Sequence, residues 1–452
     1  MYSLNEIIPF FEQLFFIVQL SWVLITEWCI YMYTQSYSCF LERITSKLAG
    51  INVLYVKVFQ AIALNNHLLD EKNNAILLKF TDNVPWDYSD INFYLLINLL
   101  NDYDLYLKSG FEKPIKSGMI SLVFKAYKMG TNECMILKIK RENIEEKLNK
   151  GIHNLLFCVR LLSFIPAVNK YNINETVTKT IQSIMTQTNF NLEVEHMMTM
   201  RENCKNLKYI KIPYAIPEIT EKYHDVIVME YIDGITIDKL SPEDYEKFAE
   251  PIIKFGIVST VIHGITHGDL HAGNILFIKD TDADKDNKYK YKIGLLDFGI
   301  VYELNKKFKE TWINLCLNYV TLPSNEIAKL ILSYTIEPYH VFNSIPKEHS
   351  NNLITIASNL IEDIKQKSKK ANQIQLYKFL YDFNNYLSSN YLLSLGLRLS
   401  EEFVRMQMSI AMSHGITITL CKDNYVAVTD RILNELFHTE LLDADTDVEE
   451  DT

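Results

Sequence analysis

Glycine and proline are scarce in this chain of 452 residues, which contains 14 glycines and 11 prolines. A collagen-like or linker-rich protein needs far more of both, so these classes are excluded. The seven cysteines are odd in number, lie far apart and form no Cys-x-x-Cys pair. This pattern argues against a disulfide framework or a zinc site and favours a reducing compartment.

The chain also lacks an excess of basic residues. It carries 45 lysines and arginines against 56 aspartates and glutamates, which gives a net charge of −11. The acidic tail over 438–452 is predicted to be disordered. Because sequence-independent nucleic-acid binding needs a basic surface, we expect no nucleic-acid partner. Hydrophobic residues make up 48% of the chain and allow a sizeable core.

The N-terminus lacks basic residues before Arg43, which argues against a signal peptide, and Glu6 and Glu12 argue against a mitochondrial presequence. The uncharged stretch 13–26 rises about 21 Å as a helix, short of the roughly 30 Å hydrocarbon core of a bilayer. A longer span would place Glu27 in lipid, which is costly. The span is therefore the less favoured alternative, and we expect a buried or membrane-surface helix in a cytoplasmic protein that lies peripheral to a membrane.

Hydrophobic patterns predict an α+β protein of two lobes. Helices are expected over 1–100, around 143–204 and from 305 to about 437, and strands over 111–126, 134–140, 225–231, 274–278 and 292–296. We divide the chain into a helical N-terminal extension (1–105), an N-lobe with a helical insertion (106–233), a C-lobe with C-terminal helices (234–437) and the acidic tail (438–452).

The stretch 267–274 (HGDLHAGN) carries Asp269 and, after four intervening residues, Asn274. Kinase catalytic loops have this spacing; their aspartate orients or deprotonates the attacking group, and their asparagine holds Mg²⁺. Asp297 begins an Asp-Phe-Gly motif after an apolar run and suits a second Mg²⁺ ligand. Two such ligands with substrate phosphates suffice for Mg²⁺. The alternative, that these are only turn and capping residues, requires several coincidences.

Phosphoryl transfer needs a positive charge on the nucleotide phosphates, and Lys138, in the apolar strand predicted over 134–140, is the candidate. Lys140 shares its face and is the alternative. A lysine in such a strand needs a carboxylate partner, for which we favour Glu193 on the following helical segment over Glu195. Further along, the end of the strand 225–231 fits a hinge whose backbone at Glu230 and Tyr231 can hydrogen-bond an adenine edge.

With these residues placed, the chain resembles the UbiB family of atypical protein-kinase-like proteins over about 48–425. The resemblance implies a two-lobed protein-kinase-like fold with helical extensions, and ATP and Mg²⁺ as cofactors. Lys57 and Gln60 stand where the family has its N-terminal KxGQ motif, on a helix that lies over the active site and impedes peptide substrates. Phe59 replaces the glycine of that motif.

The loop 114–121 stands where the family has an alanine-rich nucleotide loop. The alanines are absent, and Ser117, Gly118 and Met119 give it more of the character of an ordinary phosphate loop. These departures bear on nucleotide selectivity rather than on the expected fold. The metal ligands and the lysines of the motifs are retained, which argues against a pseudokinase.

Two other patterns are weaker. Asp280–Asp286 resembles a calcium loop but lacks its glycine and glutamate, so a solvated loop is expected. His263, His267 and His271 recur every four residues, yet the glycines among them make the spacing non-helical, so a zinc site is not expected.

We predict an ATP- and Mg²⁺-dependent ATPase or phosphotransferase acting on a small-molecule or lipid substrate, and the resemblance implies isoprenoid quinone or lipid metabolism. No Ala-Pro-Glu follows Asp297, which lowers the expectation of protein phosphorylation. The alternatives are a phosphotransferase of the aminoglycoside or choline kinase type, and a nucleotide-binding regulatory scaffold without turnover.

Overall fold

A computed structural model describes residues 4–65, 84–108, 113–164, 173–280, 289–306 and 322–367, with 309, 310, 313 and parts of 382–436. The acidic tail and residues 281–288 of the calcium-like loop lie outside the described residues. The chain divides into two compact units. The first comprises Met1–Val194 and Ala215–Tyr231, and the second comprises Glu195–Tyr214 and Ile232–Thr452.

The first unit begins with helices. They are α1 (Leu4–Thr34), α2 (Tyr37–Ile51), α3 (Val53–Asn65), α4 (Phe93–Asp102), α5 (Ile144–Leu162), α6 (Ile173–Gln187), the first turn of α7 (Phe190–Asn203) and α8 (Pro217–Lys222). Side-chain caps fix two of the starts. The Ser36 hydroxyl accepts from the Cys39 amide at α2, and Asn92 accepts from the Leu95 amide at α4.

One antiparallel sheet lies in the first unit. Its strands are β1 (Leu105–Tyr106), β2 (Lys116–Ser117), β3 (Ser121–Lys128), β4 (Cys134–Lys140) and β6 (Val226–Glu230), in the order β1-β3-β4-β6 with β2 on β3. Alternate residues such as Phe124, Leu137 and Val228 join Leu99 of α4 in a buried core. Because side chains alternate across a strand, Lys138 lies on the opposite face of the sheet.

Helix α1 packs on α2 through one face only. Phe16, Val23 and Glu27 are buried, and the Glu27 carboxylate lies 2.7 Å from both Arg43 and Lys47. These bonds compensate the burial of its charge and, with Arg43 as the largest cause, lower the pKa of Glu27. Among the described residues, only the segment Glu12–Thr34 is long and apolar enough to cross a membrane.

The second unit holds a three-stranded sheet in the order β5-β9-β8 and a separate β7–β10 pair. These strands are β5 (Ile210–Lys211), β7 (Ile265–His267), β8 (Ile275–Lys279), β9 (Tyr291–Leu295) and β10 (Val301–Glu303). Helix α9 (Tyr245–Ile257) runs into a π-helical turn (Val258–His263) that ends at Gly264 in a left-handed conformation. The chain then enters β7, so this turn leads directly into the predicted catalytic loop.

The C-terminal part of the second unit is mainly helical. It contains α10 (Ser324–Thr335), α11 (Tyr339–Ser344), α12 (Lys347–Lys367) and α13 (Tyr425–Glu435), with the strand pair β11 (Ile336–Glu337) and β12 (Arg398–Leu399). Residues of α10 and α12 form its buried core with side chains from the stretch 383–406, among them Leu332, Leu353 and Phe403.

Two details of the predicted elements are wrong. The strand predicted over 111–126 is interrupted by the turn between β2 and β3. The apolar pattern continues through that turn because Met119 and Ile120 are themselves buried, which hides it. The region after 305, predicted to be all helical, contains β11 and β12, which are two residues long and too short to show alternation.

Candidate functional site

Lys138 and Glu193 form a buried ion pair in the first unit. The Lys138 Nζ lies 2.6 Å from the Glu193 Oε1, and the two side chains are 10% and 1% exposed. Lys138 stands in the middle of β4, paired with Val123 and Ile227. Glu193, expected from the sequence as the partner of Lys138, is the carboxylate that lies against it, and the catalytic role of the pair stays a prediction. Removing one member of such a pair leaves an uncompensated buried charge and costs about 3–5 kcal/mol.

Local structure places Glu193 for this contact. It lies in the first turn of α7, where the helix dipole favours a negative charge. The Asn189 side chain accepts from the Leu192 amide and so caps this helix. The alternative lysine, Lys140, bonds instead to Glu145 at 3.0 Å and Asp225 at 2.7 Å. The ion pair in the sheet is therefore specific to Lys138.

Of the three predicted loop residues, Ser117 ends β2, and Gly118 and Met119 lie in the turn between β2 and β3. The Ser117 hydroxyl is buried and donates to the Val84 carbonyl at 2.6 Å, so this hydroxyl is committed to the fold. Gly118 has no left-handed conformation, and a Cβ there would meet Ser121 only at ordinary distance. The Met119 side chain is 7% exposed. The Ser117 and Met119 side chains are therefore buried in the fold rather than presented to a ligand.

Glu230 and Tyr231 lie at the end of β6. Glu230 pairs with Met135 of β4, and the Tyr231 ring has the Lys125 Nζ 3.8 Å from its centre. Sequence analysis missed Lys125. The signal for it was alternation along β3, which places Lys125 on the same face as Val123, the register partner of Lys138.

Lys57 lies on α3, partly exposed, between the buried Val56 and Val58. Gln60 is one turn further along the same helix, and its side chain lies outside the described residues. The predicted role of this pair stays a prediction.

The second unit holds the predicted catalytic loop. The Asp269 amide donates to the His267 Nδ1 at 3.2 Å, and the Asn274 Nδ2 donates to the Asp269 carbonyl at 3.0 Å. His271 accepts from the Gly273 amide at 3.1 Å, and its Nε2 lies 3.9 Å from the Asp269 carboxylate. These bonds fix the loop, leaving the Asp269 carboxylate 25% exposed at its surface.

The β8–β9 pair brings Asn274 and Asp297 to one edge of the sheet. Ile275, which follows Asn274, pairs with Leu295, and the Leu296 amide donates to the Asn274 carbonyl at 2.8 Å. Asp297 follows at once. Its backbone is left-handed, with φ of 62°, which is uncommon for aspartate and typical of functional sites. Its Oδ1 accepts from the Gly299 amide at 3.1 Å.

Histidines surround the Asp-Phe-Gly motif. Burial lowers the pKa of His267, and this outweighs the opposing effect of the Asp269 and Asp297 carboxylates. The ring is therefore neutral at pH 7 and can accept the Asp269 amide. His196 of α7 lies 3.1 Å, through Nδ1, from the Phe298 carbonyl. Sequence analysis missed His196 because only the fold brings residues 102 positions apart together.

The donor set suits Mg²⁺. No group of three or more His, Cys, Asp or Glu side chains in the described part of the chain could hold a metal ion by itself. Magnesium does not need one, because it is usually held by one or two carboxylates, waters and substrate phosphates. The Asn274 amide nitrogen is engaged, so its oxygen and the Asp297 carboxylate are the hard donors at this edge.

Known proteins resemble this chain. The model of the ABC1 atypical kinase-like domain matches residues 81–331. The chain is similar to the probable protein kinase UbiB of Shewanella woodyi, with 24% identity over 298 residues, covering 64% of this chain and 53% of that protein. It is also similar to a putative ABC transporter of Paramecium bursaria Chlorella virus 1, with 23% identity over 285 residues, covering 62% and 54% respectively. The chain spans about half the length of these curated relatives.

Two solved structures are also similar. The complex of Rv3197 with erythromycin from Mycobacterium tuberculosis has a TM-score of 0.44 and 14% identity, covering 80% of this chain and 87% of that one. The Rio2 kinase complex with ADP/Mg²⁺ and phosphoaspartate from Chaetomium thermophilum has a TM-score of 0.28 and 11% identity, covering 76% and 98% respectively.

Proposed function

Because the chain belongs to the UbiB/ABC1 family of atypical kinase-like proteins, we propose that it is an ATP- and Mg²⁺-dependent phosphotransferase or ATPase. The family and the kinase-like α+β fold predicted from the sequence are confirmed by the family match. The observation that carries the proposal is the buried pair of Lys138 and Glu193, since a structural role alone does not require a charge on an apolar strand.

Each candidate residue has a role that its surroundings support. The Lys138 ammonium holds nucleotide phosphates, and Glu193 fixes its position. Asp269 orients the attacking oxygen of the acceptor or of water, while Asn274 and Asp297 hold Mg²⁺. The bound ion supplies positive charge against the transferring phosphoryl group. The left-handed Asp297 backbone and the bond from the Gly299 amide hold that carboxylate in one orientation.

The acceptor is proposed to be a lipid or another small molecule rather than a protein. Lipid or isoprenoid quinone metabolism follows from the family resemblance. The sequence supports a non-protein acceptor, because no Ala-Pro-Glu follows Asp297 to mark the peptide-docking segment of protein kinases.

The first helix supports a peripheral contact with a membrane. One face of α1 carries four large apolar side chains that are each at least 60% exposed, namely Phe15, Val18, Trp22 and Ile25. The only charge between residues 13 and 34, Glu27, lies on the opposite face and is paired with Arg43 and Lys47. An uncharged exposed face with a compensated buried charge suits a helix lying in the interface of a lipid bilayer.

The proposal is tested by phosphate release from MgATP, measured with and without phospholipid vesicles. Wild type is expected to release phosphate, and Asp297→Asn is expected to lose at least about 100-fold in rate, as removal of a transition-state charge contact does. Asp238→Asn, the same change at an exposed aspartate, serves as the control.

The remaining outcomes separate the alternatives. Nucleotide binding without release supports a scaffold. Transfer to a soluble alcohol, with no effect of lipid, supports a phosphotransferase of the choline kinase type. Absence of both binding and release in the wild type contradicts the proposal.

A further inference from the structure

Arg141 directly follows β4, and its side chain is 6% exposed. Its Nη1 lies 2.7 Å from the Asp90 carboxylate. The guanidinium also donates to three main-chain carbonyl oxygens, those of Gly118 at 3.0 Å, Pro85 at 3.1 Å and Val84 at 3.3 Å. It donates as well to the Ser117 hydroxyl at 2.7 Å. An arginine side chain has five N–H donors, and here they make five hydrogen bonds.

Fold stability alone does not call for a charge at this position. A buried guanidinium is costly to desolvate, and replacing a buried ion pair by apolar groups of similar volume is often neutral or stabilising. An apolar side chain cannot reproduce the planar fork, which fixes several acceptors in one geometry at once. The acceptors that Arg141 fixes are therefore the feature that needs an explanation.

Two of those acceptors belong to the β2–β3 turn, and the main chain adds a third contact. The Arg141 amide donates to the Ile120 carbonyl at 2.9 Å, and the turn is closed by a bond from the Gly118 amide to the Ser121 carbonyl, also 2.9 Å. The C=O and N–H of a trans peptide point in opposite directions. Holding the Gly118 carbonyl against Arg141 therefore directs the Met119 N–H away from the guanidinium.

We infer that Arg141 is a positioning residue for nucleotide binding. It does not touch the nucleotide. It holds the peptide between Gly118 and Met119 in the orientation that offers the Met119 N–H to a phosphate oxygen of a nucleoside triphosphate. This inference rests on the proposed function and on the expectation from the sequence that the loop 114–121, which contains the β2–β3 turn, is the phosphate loop.

The test compares Arg141→Lys with wild type in the full chain. The lysine keeps a positive charge beside Asp90 but cannot serve the turn and the 84–85 segment together. The dissociation constant for MgATP, measured by calorimetry, is expected to rise by about tenfold or more. Hydrogen exchange of the peptide 115–123 is expected to speed up, while far-UV circular dichroism stays unchanged. A merely structural role would also speed the exchange of the turn, but it would leave the affinity for MgATP unchanged in a variant that remains folded.

A matched control is available at Lys147. It bonds to the other oxygen of the same Asp90 carboxylate at 3.0 Å, and its side chain is half exposed. Lys147→Met is expected to keep wild-type affinity and wild-type exchange, because no bond from Lys147 to the turn is seen among the described residues.

The outcomes are distinguishable. Wild-type affinity in a folded Arg141→Lys, with or without faster exchange, overturns the inference and leaves the proposed function standing. Absence of MgATP binding in the wild type overturns both. If Arg141→Lys does not fold, Ser117→Ala is tested in its place. This variant removes one of the oxygens to which Arg141 donates. Faster exchange of 115–123 with weaker binding is then the expected result, and unchanged affinity overturns the inference.

Discussion

At the residue scale, the buried ammonium of Lys138 and the buried carboxylate of Glu193 stabilise each other in the core. The pair is nearly inaccessible to water, so solvent does not screen it as it screens a surface pair. Phe190 lies beside it, with its ring centre 5.6 Å from the Lys138 Nζ. This arrangement fixes the ammonium in one place before any ligand arrives, which lowers the entropy cost of binding an anion.

Glu193→Gln is expected to lower the free energy of unfolding by about 3 kcal/mol or more, because it breaks a buried ion pair. The double variant Lys138→Met/Glu193→Leu is expected to recover most of that loss while binding no MgATP. Urea unfolding and calorimetry measure the two properties separately. Glu195→Gln, an exposed position on the same helix, is the control. Full MgATP affinity in the double variant would contradict the role given to the pair.

Acid sensitivity is predicted from buried histidines. Burial, and then Lys309, lower the pKa of His263 below its ordinary 6.5, and burial lowers that of His267. The unfolded chain therefore binds protons that the folded chain does not, so stability is full above about pH 6.5 and is lost as the pH falls below it. His263→Gln is expected to reduce the fall in unfolding midpoint between about pH 7.5 and pH 5.5.

The control for this measurement is His153→Gln, an exposed position on α5. Thermal unfolding followed by circular dichroism at each pH gives the midpoints. An identical pH dependence in His263→Gln and wild type would show that His263 does not contribute.

Single-residue chemistry explains which parts of the site could be predicted. The ion pair could, because an ammonium on an apolar strand requires a carboxylate. The engagement of the Ser117 hydroxyl could not, because its acceptor, the Val84 carbonyl, is 33 residues away and no sequence period connects them. The hydrogen bonds of Arg141 could not be predicted either, because their acceptors are also distant in sequence. An arginine at the end of a strand is usually exposed, and only the fold shows that this one is buried.

At the element scale, the pairing of β7 with β10 holds the predicted catalytic loop against the Asp-Phe-Gly segment. The Gly268 amide donates to the Ile300 carbonyl at 2.8 Å. A Cβ on Gly268 would lie 2.4 Å from the Ile300 side chain and 2.6 Å from the Tyr302 ring. Glycine is therefore required here by close approach, and Asp269, the next residue, depends on it.

Gly268→Ala is expected to displace that pairing and to lower phosphate release by at least about tenfold, with a loss of about 1–3 kcal/mol in stability from overpacking. Gly50→Ala on α2 is the control, because a Cβ there meets nothing within 4 Å. It is expected to be neutral or slightly stabilising, since alanine is the better helix former. Wild-type activity in Gly268→Ala would show that the loop tolerates the shift.

Helix α1 makes a separate prediction for membranes. Trp22→Gln/Ile25→Gln changes only its exposed face, so the contact with α2 is retained. Co-sedimentation with vesicles of phosphatidylcholine and phosphatidylglycerol is expected to fall at least several-fold, because each lost apolar side chain removes about 1.5–3 kcal/mol of burial. Tyr94→Gln on α4, also exposed, is the control. Unchanged sedimentation of the double variant would rule out this face as the lipid contact.

The elements were predictable to different degrees for a physical reason. Strand β4 and the β8–β9 pair could be predicted because their runs are apolar and bounded by polar turns. The strands β11 and β12 could not, because their pairing is decided by tertiary contacts between residues 61 and 63 positions apart. A similar limit applies to the β7–β10 pair, in which Val301 lies opposite His267.

At the scale of the whole molecule, the family could be predicted from short motifs, because phosphoryl transfer constrains both the residue types and their spacing. The acceptor could not, because acceptor specificity depends on the shape of a pocket that no motif encodes. The chain covers about half of its curated relatives, so their names do not supply this information either.

The proposed function assigns the Lys138–Glu193 pair to nucleotide phosphates and the Asn274–Asp297 edge to Mg²⁺. Calorimetric titration of ATP, with and without Mg²⁺, into wild type, Lys138→Met and Asp297→Asn tests it most directly. Lys128→Met, an exposed lysine in the same sheet, is the control. The account predicts Mg²⁺-dependent binding to wild type and to Lys128→Met, with the affinity lost in Lys138→Met and the Mg²⁺ dependence lost in Asp297→Asn. Equal, Mg²⁺-dependent binding by all four proteins would contradict it.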